Sequence, residues 1–324
     1  MTSPKVSLSM LTTVLPQHID VFICSASFEG RSTVVAKKLD HGHVDRAIIC
    51  ANQVNFTALI NSRANELQQM FGNRGNIVEI SMDNPLIIAD RFQHELRNMI
   101  NHSPATYVID ITSFTHEALL IVLRVLAVHR KPTDRITCLY NGASEYSVGL
   151  PAEEKWLTKG VGEIRSVLGY SGQIIPTQKT HLIVLVGFET ERAERIIAAY
   201  EPNELSLGYG SLLESISPPL HDLNRKFHKK LREKYRKVSE FTFSCEDAFA
   251  AKAAVLKQAN ARPDFNVFIA PMNTKISTVG VALAAFDNQA IQLCYASAER
   301  YNFEAYSTPS DDCYFFDLPP LTAS

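Results

Sequence analysis

ATYVIDITSFTHEALLIVLRVL, residues Ala105 to Leu126, decides the fold. Tyr107 to Ile111 is a short apolar run rich in branched side chains, which reads as a buried strand. A polar stretch of hydroxyls, an acid and a histidine follows. Glu117 to Val128 is then apolar almost all round, the pattern of a helix enclosed by neighbours. Strand, polar loop and enclosed helix make one step of an α/β protein with a parallel sheet and right-handed crossovers. The same step recurs as FNVFIAPMNTKISTVGVALAAF, Phe265 to Phe286, with Thr274 standing where Thr112 stands.

Working outward, the flanks repeat as well. Upstream, IDVFICSASFEGRSTVVAKKL from Ile19 matches HLIVLVGFETERAERIIAAY from His181, with Phe28-Glu29 on Phe188-Glu189. Between flank and centre, RAIICAN and NIVEISM correspond to ELSLGYG and VSEFTFS. Downstream, Tyr140 and Tyr146 correspond to Tyr295 and Tyr301. The offsets at Glu29, Tyr140 and Thr112 are 160, 155 and 162 residues, so an ordered set of landmarks stays in register over half the chain. The expectation is an internal duplication: two tandem Rossmann-like domains, each a parallel sheet flanked by helices. Residues 1–148 form the first, 149–179 a packed connector around Trp156, and 180–324 the second. A basic helical insertion at 211–237 would interrupt that second domain. Arg31 to Leu39 carries Val34, Val35 and Leu39 at helical spacing.

Composition bounds the function. The 324 residues carry 32 Lys+Arg against 34 Asp+Glu, a net charge of -2, with 46% hydrophobic residues. Such a chain buries a real core, is not disordered and is not a globally basic nucleic-acid binder. No apolar run reaches the 18 or so residues needed to cross a bilayer, so no membrane association is expected. Met1 to Pro16 has no basic region before an apolar stretch, which argues against a signal peptide. The six cysteines are widely spaced, four of them in or beside strand-like runs, where cysteine acts as a small hydrophobe. A reducing cytoplasm is the expected location.

In open α/β sheets ligands bind beyond the carboxyl ends of the strands. That rule selects Ser25, Ser27, Glu29 and Arg31, then Asp110, Thr112, Ser113, Thr115, His116 and Glu117, then Asn141 and Tyr146. In the second half it selects Glu189, Arg192, Asn273, Thr274, Lys275, Ser277, Thr278, Tyr295 and Tyr301. The Asn273 to Thr278 loop sets hydroxyls and a lysine where a helix begins, which suits a phosphate or carboxylate; Ser277 or Thr278 could equally cap that helix. In the Asp110 to Glu117 loop, an acid and His116 could serve as base and acid; alternatively Thr112 or Ser113 caps the helix and Glu117 completes a capping box. Glu29 and Glu189 could pair with Arg31 and Arg192, or the arginines could meet a phosphate or a partner chain. The tyrosine pairs could stack on a base or simply pack. His41 and His43 form an HxH without nearby cysteine or an acid triad, which gives no metal expectation. GxxxxGK[ST], GxGxxG and GxSxG are all absent. Arg225 to Lys237 holds Lys229, Lys230, Arg232, Lys234 and Arg236 around Phe227, Leu231 and Tyr235. It is either a solvated face or a surface for nucleic acid or an acidic partner.

The stretch ATYVIDITSFTHEALLIVLRVL, a strand ending in Asp-Ile-Thr before a long apolar helix, resembles the CARF and SAVED families of Rossmann-like nucleotide sensors. Those domains bind cyclic oligonucleotide messengers in prokaryotic antiviral systems, and SAVED proteins carry two CARF-like units. The resemblance implies that Asp110, Thr112 and Ser113 face a ligand, with Thr274 and Lys275 as counterparts. The Gly-Gly-Thr-Lys turn frequent in CARF loops is replaced here by Ser113-Phe114-Thr115-His116, and an attached effector nuclease or protease domain is not expected. HIDVFICSASFEGRSTVVAKKL also opens like a TIR domain, which implies a catalytic acid on a later helix, Glu95.

The expectation is therefore a regulatory subunit without a cofactor of its own. It would bind a nucleotide-type signal between two lobes through Ser27, Arg31, Thr112, Ser113, Arg192, Asn273, Thr274, Lys275 and Ser277. An effector protein subunit would be its partner. Two alternatives stand beside it: a nucleotide or NAD hydrolase using Glu29, Asp110 or Glu117, and a structural subunit binding nucleic acid or a protein through 225–237.

Overall fold

The computed structural model describes residues 4–53, 57–99, 104–151 and 154–321. Its strands and α-helices run, in order, β1 (Lys5–Ser7), β2 (Ile19–Ala26), β3 (Val44–Gln53), α1 (Thr57–Phe71), β4 (Gly75–Ser81), α2 (Pro85–Met99), β5 (Thr106–Asp110), α3 (His116–His129) and β6 (Arg135–Tyr146). They continue with β7 (Thr158–Ser166), β8 (Lys179–Leu185), α4 (Thr190–Tyr200), β9 (Glu204–Gly210), α5 (Pro218–Arg232), β10 (Ser239–Phe243) and α6 (Ala248–Asn260). The last are β11 (Phe265–Pro271), α7 (Lys275–Asp287), β12 (Gln292–Tyr301) and β13 (Ser307–Asp317).

Two compact units result. One contains 3–144 and 307–324, the other 145–306. The first sheet has the order β1-β13-β6-β5-β2-β3-β4, the second β10-β9-β8-β11-β12-β7. Numbered within each repeat, both read 3-2-1-4-5, with strands 1 to 5 parallel. Each then gains one further strand beside strand 5. The expected doubled Rossmann-like α/β architecture is thus present, with the same strand order in both repeats.

The domain boundaries differ from the expectation. A plain tandem repeat would pair β6 with β7 and β12 with β13, its chain neighbours. Instead β7 runs antiparallel to β12 in the second sheet, and β13 lies beside β6 in the first. The sixth strands are exchanged between the repeats. Residues 149–179 are therefore not only a connector but also supply a strand, and 307–324 belong to the first unit.

Two further corrections concern helices. The stretch 211–237 is no insertion: α5 is the crossover between β9 and β10, the counterpart of α1 between β3 and β4. Its basic surface conceals a working inner face of Asn224, His228 and Leu231, all buried. Arg31 to Leu39, expected as a helix, forms two 3-10 turns, Gly30–Thr33 and Ala36–Lys38. The branched run Thr33-Val34-Val35 is a poor α-helix former. Ser32 Oγ also donates to the backbone oxygens of Glu29 and Ser27, which holds the turn tight. α3 is enclosed as its composition predicts, with Ala118 to Leu123 all buried.

Each unit has its own core. In the first, Phe22 and Cys24 of β2, Val108 of β5 and Leu139 of β6 meet Ile60, Leu67 and Phe71 of α1, with Cys313 contributed by β13. In the second, Leu182 and Val184 of β8 meet Ile196 and Ile197 of α4, Leu231 of α5 and Phe268 of β11. No helix among the described residues is long and apolar enough to cross a membrane.

Exchange makes the C-terminal segment structural for the first unit. Tyr314, Phe316, Leu318 and Leu321 are all buried, each worth about 1.5–3 kcal/mol, against the 5–15 kcal/mol typical of a whole domain. A chain ending at Tyr306 is expected to lose much of its helical circular dichroism while Trp156 fluorescence, from the second unit, still reports a cooperative melt. Full dichroism amplitude in the truncated chain would show that β13 is dispensable.

Candidate functional site

The carboxyl ends of the strands carry the candidates, and the two repeats build them alike. In the first, Arg31 lies in the 3-10 turn after β2, 3% exposed. Its Nε donates to Glu29 Oε2 at 2.8 Å, and Nη2 approaches the same oxygen at 2.6 Å. Nη1 donates to the backbone oxygen of Asn141 on β6 at 2.9 Å. Ser307, the first residue of β13, donates its hydroxyl to Glu29 Oε2 at 2.6 Å and accepts from Arg31 Nε at 3.0 Å.

In the second repeat Arg192 Nη1 donates to Glu189 Oε2 at 2.7 Å. Its Nε donates to the backbone oxygen of Ala296 at 2.7 Å. Ala296 is the residue that corresponds to Asn141. Thr158, the first residue of β7, gives its hydroxyl to Glu189 Oε1. β12 shifts register against β7 between Ala296 and Ala298; such bulges commonly mark places where a strand re-aims its groups. Acid, guanidinium, strand-5 carbonyl and sixth-strand hydroxyl are thus repeated. Burial alone would lower the Arg192 guanidinium, but Glu189 and the rings of Tyr295 and Tyr301 outweigh it and hold it above its ordinary value. Arg192 also lies over the Tyr295 ring at 5.1 Å. Tyr140 packs against Tyr314, with ring centres 6.4 Å apart. Both of those tyrosines are buried.

The loops after β5 and β2 are tied down through Thr112, Ser113 and Ser27. Thr112 N donates to Asp110 Oδ1 at 3.0 Å, and Thr112 Oγ1 accepts from Asn141 N at 3.0 Å. Ser113 Oγ donates to the backbone oxygen of Ser25 at 2.6 Å. Ser27 Oγ accepts from Glu29 N at 3.2 Å. The cap of α3 is Thr115, not Thr112 or Ser113, and it takes Ala118 N; Ala118 stands at the position where a capping box would need an acid. Glu117 is 1% exposed and His116 is buried beside it. Asp110 is also 1% exposed. Burial, first of all, raises its carboxyl to about 7, with Thr112 and Arg31 pulling it down and Glu29 pushing it up.

In the second repeat Thr274 caps α7 by accepting from Ser277 N at 3.2 Å, while its hydroxyl donates to the backbone oxygen of Cys245 at 2.9 Å. Ser277 turns its hydroxyl back to the Thr274 oxygen. Asn273 Nδ2 and Asn224 Nδ2 both donate to the oxygen of Val186, at 2.7 and 2.8 Å. A side chain at Gly187 would meet the Met272 oxygen at 1.9 Å, so only glycine allows the loops after β8 and β11 to touch. That contact closes the switch point of this sheet, where an open α/β fold would admit a ligand. Asn273, Thr274 and Lys275 stay half-exposed at its rim.

Other candidates fall elsewhere. On and after α5, Lys229, Lys230 and Arg236 are exposed. Arg232 pairs with Glu240 at 3.3 Å and Lys234 with Glu194 at 2.6 Å. Glu95 accepts from Asn76 Nδ2 at 2.6 Å beside an open groove that includes Glu79, Arg91 and His94. His41 Nε2 meets the Ala36 oxygen and His43 pairs with Asp40. The six thiols are buried and free, and burial pushes Cys50 and Cys245 up to about 12.

Some residues escaped the sequence reading. Asn224 and Cys245 belong to no motif, and their positions tell only in the folded loops. Ser307 and Thr158 could have been found by carrying the repeat one strand further. His18, Asp20 and Asp45 bring ligand-type atoms within 4.8 Å of one another at the opposite, amino end of β2 and β3, a clustering that no local spacing announces.

No family model matches the chain, and no curated protein matches it by sequence. Among solved structures it is similar to an O-methyltransferase family 2 protein from Planctomyces limnophilus complexed with apigenin. That match has 13% identity and a TM-score of 0.24 over 42% of this chain and 38% of the other. It is similar to a spermidine synthase complexed with the transition-state analogue AdoDATO at 20% identity and a TM-score of 0.23, over 42% and 43%. The chain thus spans about two fifths of the length of these two. The cytoplasmic domain of a prokaryotic cation chloride cotransporter aligns over 89% of this chain and 99% of its own, at 9% identity and a TM-score of 0.25. At such scores none of these likenesses bears on activity.

The paired acids give a direct test. Glu189→Ala leaves Arg192 a buried charge without its counter-ion, and a loss of about 3–5 kcal/mol in denaturant melts is expected. Lys234→Ala, which breaks an exposed pair, should cost under about 1 kcal/mol. Equal and small losses would mean that the buried pair does not hold the fold.

Proposed function

We propose that the protein is a ligand-binding regulatory subunit that reads a nucleotide-type signal at the carboxyl edges of its parallel strands, with an effector on another chain. The observation that carries this reading is the rim at the head of α7. There Asn273, Thr274 and Lys275 stand half-exposed at the start of a 13-residue helix, whose positive end and lysine suit a phosphate. The acids that a hydrolase would need favour binding over turnover. Glu29, Asp110 and Glu117 are all buried, and Glu29 is committed to Arg31 and Ser307. Arg31 and Arg192 support the loops from within, and the hydroxyls of Thr274 and Ser277 are spent on backbone oxygens, so direct contact with phosphate falls to Lys275 at the head of α7. The resemblance to CARF and SAVED sensors makes a cyclic oligonucleotide of a prokaryotic antiviral system the first ligand to try.

A second reading has one observation in its favour. Lys229, Lys230 and Arg236 present exposed cations on or just after one helix, which suits nucleic acid or an acidic protein.

Thermal stabilisation against NAD, ATP and cyclic oligonucleotides tests both. A ligand at 100 times its Kd adds about 2.7 kcal/mol of stability, and Lys275→Ala should abolish the shift. A flat panel together with salt-sensitive oligonucleotide binding lost in Lys229→Ala/Lys230→Ala would replace the first reading by the second.

A further inference from the structure

The two repeats serve as controls for each other, and they differ at one buried place. In register with Thr112 and Thr274, Asp110 falls on Met272. In register with Tyr140 and Tyr295, Asn141 falls on Ala296. The second repeat therefore balances one carboxylate, Glu189, against one guanidinium, Arg192. The first sets two carboxylates, Glu29 and Asp110, against Arg31 alone. Asp110 Oδ2 and Asn141 Oδ1 are both buried acceptors without a hydrogen-bond partner among the described residues. A proton on the Asp110 carboxyl would turn its unpartnered buried oxygen from an acceptor into a donor, which the carboxylate cannot be.

The same cluster fastens the exchanged strand. Asn141 Nδ2 donates to the oxygens of Ser310 and Asp312 on β13, both at 2.9 Å. Glu29 and Arg31 hold Ser307 at its start. Cys313 of the same strand is buried and lies in the field of Asp110.

We propose that Asp110 is a proton site that latches β13 onto the first unit: protonated, it leaves Arg31 to Glu29 and the strand closed; ionised, it competes for Arg31 and loosens the strand. The charged and titratable groups around it are few. Arg31 and Glu29 come from the turn after β2, and the thiols of Cys24 and Cys313 from β2 and β13. His116 and Glu117 are buried at the head of α3, and Asp312 pairs outward with Lys5. Of these, only Arg31 is a cation close enough to draw Asp110 down.

The sign follows from burial. The acid is raised to about 7 when the strand is closed and sits near 3.9 when opening brings water to it. The closed state therefore binds the extra proton: closure is at full strength below about pH 3.9, weakens as the pH climbs from there through about 7, and levels off above that value.

Amide hydrogen exchange of the full chain tests it, with rates corrected for intrinsic pH dependence. Between pH 6 and pH 8.5 protection across β13 should fall about tenfold, while β7, the counterpart strand beside Ala296, should not change. Asp110→Asn, which mimics the neutral acid, should make β13 insensitive to pH. Glu29→Gln, which frees Arg31 for Asp110, should move the midpoint to lower pH. Should Asp110→Asn fail to fold, the comparison of β13 with β7 in the native chain decides alone. Protection of β13 that ignores pH, a parallel fall in β7, or the same pH dependence in Asp110→Asn would overturn the proposal.

Discussion

A buried guanidinium that bonds at once to an acid and a strand carbonyl is the constraint on which this fold depends. Taking Arg31 or Arg192 out of water is costly unless its donors are met. Each is met from three stretches of chain: the turn after strand 1, the end of strand 5 and the start of a sixth strand. In the first unit the third partner is Ser307; in the second it is Thr158, which reaches the guanidinium through Glu189. Neither sixth strand comes from its own repeat. The ion pair therefore supports not only a loop but also the reciprocal exchange.

Much of this was legible in the sequence, for a physical reason. Parallel strands buried on both faces must be apolar throughout, so Ile19–Ala26, Tyr107–Ile111 and His181–Leu185 stand out without an alignment. The enclosed helices α3 and α7 stand out in the same way. The exchange was not legible. β7 and β13, TKGVGEIRS and STPSDDCYFFD, are mixed in polarity, and the two copies of strand 5 are similar. Nothing local tells β6 whether to take β7 or β13. That choice is made by nonlocal contacts, here by which hydroxyl reaches which acid. The role of α5 is hidden for the opposite reason. Its outer charge is conspicuous, while the inward Asn224 and His228 that make it a crossover helix are polar and do not look like core.

The candidate site was legible in position but not in role. The rule that ligands gather at strand carboxyl ends led to Glu29, Asp110, Thr112 and Asn273, and the fold does place polar side chains there. What sequence could not give was where each polar group spends its hydrogen bonds. Thr112 and Ser113 face the strands on either side of their loop, and Thr115, not either of them, caps α3. Gly187 allows two loops to meet where another residue would have held a crevice open.

Duplication explains why the remaining asymmetry is informative. Two copies of one fold begin with the same demand for buried partners, so a later difference at an equivalent place marks what one copy gained or shed. The second copy meets its arginine with one acid and fills the adjoining positions with Met272 and Ala296, a closed and neutral arrangement. The first copy keeps Asp110 and Asn141 there, with two acceptors unanswered. Stability alone disfavours that choice, since an orphaned buried acceptor costs about 1–3 kcal/mol and an apolar replacement of similar shape can be nearly neutral. The cost lies where β13 is held by Asn141 and Ser307, at the single stretch that must return from the chain's far end to complete the first sheet. An acid poised between charge states at that point leaves the last-joined strand as the element of the first unit most sensitive to proton concentration.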